Sequence, residues 1–125
     1  MTKIADLMKQ GNVMAAEVEL LDLSVMSETI VATGVVSVLK RITNIDASGG
    51  AGAITLAAPD ATMVGQVKII QYTGGGTNAI TLALTNVQGG SAASSASFNA
   101  DNETLILVAG KNKWTVVGEV GVTLS

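Results

Sequence analysis

The chain has 125 residues, with ten Asp plus Glu against seven Lys plus Arg and a formal net charge of −3. That length suits one domain with a real core. The basic residues never form a block, so an electrostatic footprint for nucleic acid is missing, and the lack of Cys and His removes disulfides, thiol nucleophiles, Ser-His-Asp triads and Cys or His metal ligands.

Apolar residues make up 48% of the chain and aromatic residues only 2%, so the apolar content is Ala, Val, Ile and Leu, a composition suited to sheets. No apolar run approaches the ~18 residues of a membrane span, and the Met1-Thr2-Lys3 start lacks the apolar segment of a signal peptide. The expectation is a soluble, non-secreted product with no membrane partner. A mean hydropathy of +0.49 beside 14% charged residues leaves apolar surface that needs cover, and oligomerisation is the simplest way to supply it.

In chain order, Thr2 to Gln10 carries Ile4, Leu7 and Met8 at helical spacing, with Thr2 as N-cap and Gly11 as stop. This predicts a short amphipathic helix, an arm over residues 1–12, ahead of a single β domain over 13–125. Val13 to Leu23 fits helix or strand. From Thr29 to Ile45 the β-branched density rises around Gly34, which predicts two consecutive strands or one bulged strand. Lys40-Arg41 is the only adjacent basic pair and reads as a solvated edge.

Ser48-Gly-Gly-Ala-Gly52 is a turn leading into the strand Ala53-Ile-Thr-Leu-Ala57, which Pro59 terminates. Gln66 to Tyr72 is a further strand, and after Thr73-Gly-Gly-Gly-Thr-Asn78 the pentapeptide Ala79-Ile-Thr-Leu-Ala83 repeats residues 53–57. One strand between two alike suggests a meander. Asn86 to Ala96 reads as a loop. The last 25 residues give a hairpin, in which Thr104 to Ala109 and Trp114 to Val117 flank Gly110-Lys111-Asn112-Lys113. Leu105, Ile106, Leu107 and Val108 are apolar on both faces of that strand, a pattern expected where both faces are covered. Trp114, the sole Trp, sets the edge of the core. With strands recurring every 10 to 15 residues, the expected fold is all-β, an antiparallel β-sandwich or barrel with a short N-terminal helix or arm.

Chemistry-bearing motifs are weak. Gly74-Gly-Gly-Thr-Asn78 lacks the Gly-Lys-Ser/Thr ending of a phosphate loop and precedes a strand, so it reads as a hairpin loop. Asp101-Asn102-Glu103 does not supply the twelve-position spread of a calcium loop and reads as a turn. The pairs Glu17 with Glu19 and Asp101 with Glu103 alternate to one side if extended; without clustered aromatic residues for sugar stacking they read as exposed strand charges, not a glycosidase pair. No enzymatic activity, cofactor or metal is expected.

Arg41-Ile-Thr-Asn-Ile-Asp46, Ala53-Ile-Thr-Leu-Ala57, Gly65-Gln-Val-Lys-Ile-Ile70, Phe98-Asn-Ala100, Lys113-Trp-Thr-Val-Val-Gly118 and Gly121-Val-Thr-Leu-Ser125 together resemble small all-β structural proteins of tailed bacteriophages, notably phages of cyanobacteria. The resemblance covers residues 41–125. It implies a capsid decoration, or cement, protein made in the host cytoplasm and carried on the virion's capsid surface, where it binds the major capsid protein as a homotrimer and stabilises the shell. Ile4, Leu7 and Met8 are then the candidate contacts to the capsid or a neighbouring subunit. A tail or head fibre module is the alternative, disfavoured by the lack of a long repetitive shaft. A carbohydrate-binding β-sandwich is a further alternative, disfavoured by three aromatic residues all placed in strands.

A stripe of three apolar residues is too small to hold a helix alone in water. Deleting residues 1–12 is expected to leave the melting curve of the β domain almost unchanged while weakening retention on undecorated phage heads, measured beside the full-length protein. Retention as tight as that of the full chain would place attachment on the β surface instead.

Overall fold

The computed structural model describes residues 26–74, 77–88 and 94–125. The predicted arm, with Ile4, Leu7 and Met8, and the ambiguous stretch 13–23 lie outside them. Within them the chain is built of strands, and a single 3-10 turn, Ala61–Met63, is opened by the Asp60 carboxylate accepting the Thr62 N–H at 3.0 Å.

The run split by Gly34 becomes two strands, β1 (Ser27–Val31) and β2 (Gly34–Val36), and these belong to different sheets. The same alternation continues through β3 (Ile42–Asp46), β4 (Gly52–Leu56), β5 (Val67–Gly74) and β6 (Ile80–Ala83). Thus β1, β3 and β5 lie side by side and parallel in one sheet, while β2, β4 and β6 do so in the other. The chain winds up one sheet and down the other three times.

The remaining strands close the two layers. β8 (Ser95–Phe98) pairs antiparallel with β6, and β11 (Thr123–Leu124) pairs antiparallel with β8. The expected hairpin forms as β9 (Thr104–Ala109) and β10 (Trp114–Val120), and β9 pairs antiparallel with β5. β7 (Val87–Gln88), within a stretch read as loop, runs parallel to the start of β10. The result is a six-stranded sheet, β1-β3-β5-β9-β10-β7, and a five-stranded sheet, β11-β8-β6-β4-β2.

Two expectations need correction. The sheets are mixed, not antiparallel, and the described strands divide between two sheets instead of closing one barrel. The repeated pentapeptide is also not part of a meander. Its two copies are direct neighbours in the five-stranded sheet, Ile54 opposite Leu82, and the strand between them in sequence lies in the other sheet. Parallel neighbours need a crossover, and a Gly-rich connection has the same composition whether it turns back in one sheet or passes to a second. Gly52 shows what the crossing demands: a Cβ there would stand 2.5 Å from the Ala32 carbonyl oxygen in the β1–β2 turn.

Inward residues of both sheets meet in one core. Ile45, Ile70, Leu105 and Leu107 come from the six-stranded sheet, and Ile54, Ile80, Leu82 and Phe98 from the five-stranded one. The even stagger of the two pentapeptides keeps Ile54, Leu56, Ile80 and Leu82 all inward.

Carbonyls at strand ends and in the crossovers leave the ladders, and side chains supply donors to several of them. Asn78 Nδ2 donates to Ala47 O at 2.8 Å, Asn86 Nδ2 to Leu56 O at 3.0 Å and Trp114 Nε1 to Ala57 O at 2.9 Å. The Tyr72 hydroxyl donates to Asn78 O at 2.6 Å.

Trp114 is buried among the core residues, as its position at the start of the second hairpin strand predicts. Trp114→Ala is expected to cost about 3–5 kcal/mol through lost burial and the cavity left behind, with the Ala57 carbonyl also losing its donor. Chemical denaturation checks this, and a loss under about 1 kcal/mol would mean that the indole carries little of the core.

Candidate interaction surface

The one buried charged side chain among the described residues is Lys68, on β5 and 1% exposed. All three ammonium protons have acceptors: Ser37 O at 2.8 Å, Lys40 O at 2.7 Å and Thr43 Oγ1 at 2.6 Å. The Thr43 hydroxyl in turn donates to Glu28 Oε2 at 2.6 Å, and the same oxygen accepts the Ser37 N–H at 2.8 Å. Lys68 Nζ and Glu28 Oε2 are 3.6 Å apart. Burial pushes the Lys68 ammonium down to about 8 against the opposing pull of the Glu28 carboxylate. A buried lysine so displaced can mark a reaction centre. Here every donor is spent internally, so the cluster works as a staple that fastens the β2–β3 crossover to the six-stranded sheet.

The other residues singled out by sequence disperse. Asn78 is a structural donor beside Tyr72. Glu103 closes the turn before β9, its Oε1 accepting the Asn99 N–H at 2.6 Å and the Ala100 N–H at 3.2 Å, and Asn102 takes a positive φ of 74° in the same turn. That agrees with the turn reading of 101–103. Glu17 and Glu19 lie outside the described residues. Among the described residues no group of three acidic side chains could hold a metal ion.

The two outward faces differ in chemistry. On the five-stranded sheet the outward positions are Val35 on the edge strand β2, 69% exposed, and otherwise mostly Ala53, Thr55, Thr81, Ala83, Ser97 and Thr123, small or hydroxylated. On the six-stranded sheet, strand register brings Ile42, Ile69 and Ile106 into one row across β3, β5 and β9, with Val67 opposite Val108 in the next. Their inward neighbours Lys68, Ile70, Leu105 and Leu107 are buried, which fixes these rows as outward. A bulge between Val116 and Gly118 adds Val117, 58% exposed, beside this surface. Gly118 leaves room there: a Cβ would meet Ile106 Cδ1 at 3.7 Å. The doubly apolar pattern of 104–109 therefore has its physical counterpart in a core face and a second, solvent-facing apolar face. Sequence periodicity marked β9; the company of β3 and β5 was hidden, because only register aligns the three isoleucines.

No protein-family model and no curated protein matches the chain.

Lys68 gives a pH signature. Its folded value of about 8 lies below the ordinary lysine value of 10.5, so between these pH values the unfolded chain holds more protons than the folded one. Stability therefore rises with pH across that window. Tyr72 acts oppositely above about pH 10, because burial and the nearby Asp101, Glu103 and Asp46 carboxylates hold its hydroxyl above the ordinary value. Denaturation midpoints are expected to climb from pH 8 towards 10, and Lys68→Met to flatten the climb whatever it does to the baseline. An unaltered climb in the variant would assign it to other groups.

Proposed function

We propose that this chain is a structural protein of a phage particle, a capsid decoration protein built as a β-sandwich, which binds the major capsid protein on the outside of the shell. The observation that carries the reading is the outward Ile and Val face of the six-stranded sheet. Exposed apolar surface of this kind marks a contact, and β9 has the two-sided apolar pattern of a strand covered on both faces. The other sheet's face, mainly Ala, Ser and Thr with Val35 at its edge, is the better suited to solvent. The resemblance of residues 41–125 to phage structural proteins supplies the setting. A rigid two-sheet scaffold with its polar core groups satisfied internally suits a clamp between shell subunits.

A fibre module is the second reading, favoured by the winding itself. Three coils of parallel strands, with the two pentapeptides side by side, form a pattern that can be extended by adding coils.

Purified particles analysed by mass spectrometry, with density mapped on the head and tail, test both. The chain is expected on the outer shell at symmetry-related positions. Density confined to tail or fibres would transfer the assignment to the fibre reading, and absence from particles would overturn both.

A further inference from the structure

The charges outside the interior sort by the ends of the strands. Lys40 and Arg41 precede β3, and Lys111 and Lys113 lie in the β9–β10 turn; register puts both groups at one end of the six-stranded sheet. Asp46 ends β3, Asp101 and Glu103 precede β9, and Glu119 is opposite Leu105 near the end of β10, all at the other end. Burial and the charges of Asp101, Glu103 and Asp46 all hold the Tyr72 hydroxyl above its ordinary value, in keeping with their place at this end. The described charges outside this division are Asp60, on the β4–β5 crossover, and the Glu28 and Lys68 pair of the interior staple. The apolar rows thus lie next to the basic end, and the outward polar row Asn44, Gln71 and Thr104 separates them from the acidic end.

We propose that a second copy of this chain covers that face, packed sheet to sheet with its strands reversed. This rests on the reading of the face as a contact, but it puts a second copy there in place of the capsid protein and a dimer in place of a trimer, and attachment to a shell then falls to the rest of the surface. A twofold axis lying in the contact plane and running across the strands, between the Ile42–Ile69–Ile106 row and the Val67–Val108 row, sets each Ile row over the partner's Val row. The same rotation turns each basic end towards the partner's acidic end. Such a contact is isologous and closes at two copies, and facing sheets pack about 10 Å apart with strands within about 30° of alignment. A twofold axis along the strands would instead stack basic end on basic end and acidic end on acidic end, which like charges oppose.

The test uses the isolated full chain in sedimentation velocity at tens of micromolar and low salt, with two surface variants. One carries Lys111→Glu and Lys113→Glu; the other carries Asp101→Lys and Glu119→Lys. All four positions are exposed, and circular dichroism confirms that each variant folds. The wild type is expected to be a dimer that weakens as salt rises. Each variant alone is expected to lose at least tenfold in affinity, and an equimolar mixture to recover a heterodimer, because one variant is then acidic at both ends and the other basic at both; the orientation is read from the wild type, whose dimer would strengthen with salt if its strands lay parallel. Ile69→Glu, at the centre of the Ile row, is expected to give a folded monomer. A monomeric or trimeric wild type, a wild-type dimer that strengthens with salt, variants that associate like the wild type, or a mixture that fails to recover would each overturn the proposal. The particle experiment is separate: a dimer absent from virions would keep this contact and remove the decoration role.

Discussion

Strands that lie parallel in a sheet cannot be joined by a tight turn, so a chain that sets β1, β3 and β5 beside one another must leave the sheet between each pair. It uses those excursions to build the second sheet from β2, β4 and β6. The cost falls on the strand ends and crossovers, where carbonyls leave the ladders and need donors from elsewhere. The donors come from side chains distant in sequence: Lys68 for Ser37 and Lys40, Asn78 for Ala47, Asn86 for Leu56 and Trp114 for Ala57. Several of the larger polar side chains are thereby committed to holding the winding together. This explains why a chain with few polar residues of any size places them where it does.

Lys68 is the extreme case. A buried ammonium pays a desolvation penalty that its ion pair with Glu28 only partly offsets, and a hydrophobic residue would avoid that penalty. What a hydrophobic residue lacks is donors. Three acceptors converge on one atom, two of them crossover carbonyls, and a hydroxyl relay passes the interaction on to the carboxylate. The pair is better understood as satisfying backbone that the topology strands than as a source of net stability.

With the polar groups spent inside, the capacity to interact resides on the outside, and there the sheets diverge. One presents mainly Ala, Ser and Thr, with Val35 at its edge; the other presents rows of Ile and Val beside a polar row, with ends of opposite charge. An apolar surface supplies attraction without direction, and the separated charges supply direction. Together they give a surface whose attraction depends on the orientation of what it meets.

The sequence by itself determined the strand-rich character, the terminal hairpin, the burial of Trp114, the break at Gly34 and the turn at 101–103, because each depends on local periodicity, turn chemistry or side-chain size. It also marked 104–109 as apolar on both faces. Tertiary structure alone decided that neighbouring strands in sequence belong to opposite sheets, since a Gly-rich connection reads the same in a hairpin and in a crossover. That choice decided the rest: the two Ala-Ile-Thr-Leu-Ala segments became neighbours, and Ile42, Ile69 and Ile106, far apart in the chain, came into one row. The role of Lys68 was equally hidden, because a lysine between Val67 and Ile69 looks like an ordinary strand residue until the fold brings Ser37, Lys40 and Thr43 around its ammonium. Local patterns report which residues face inward; long-range register reports which of them meet.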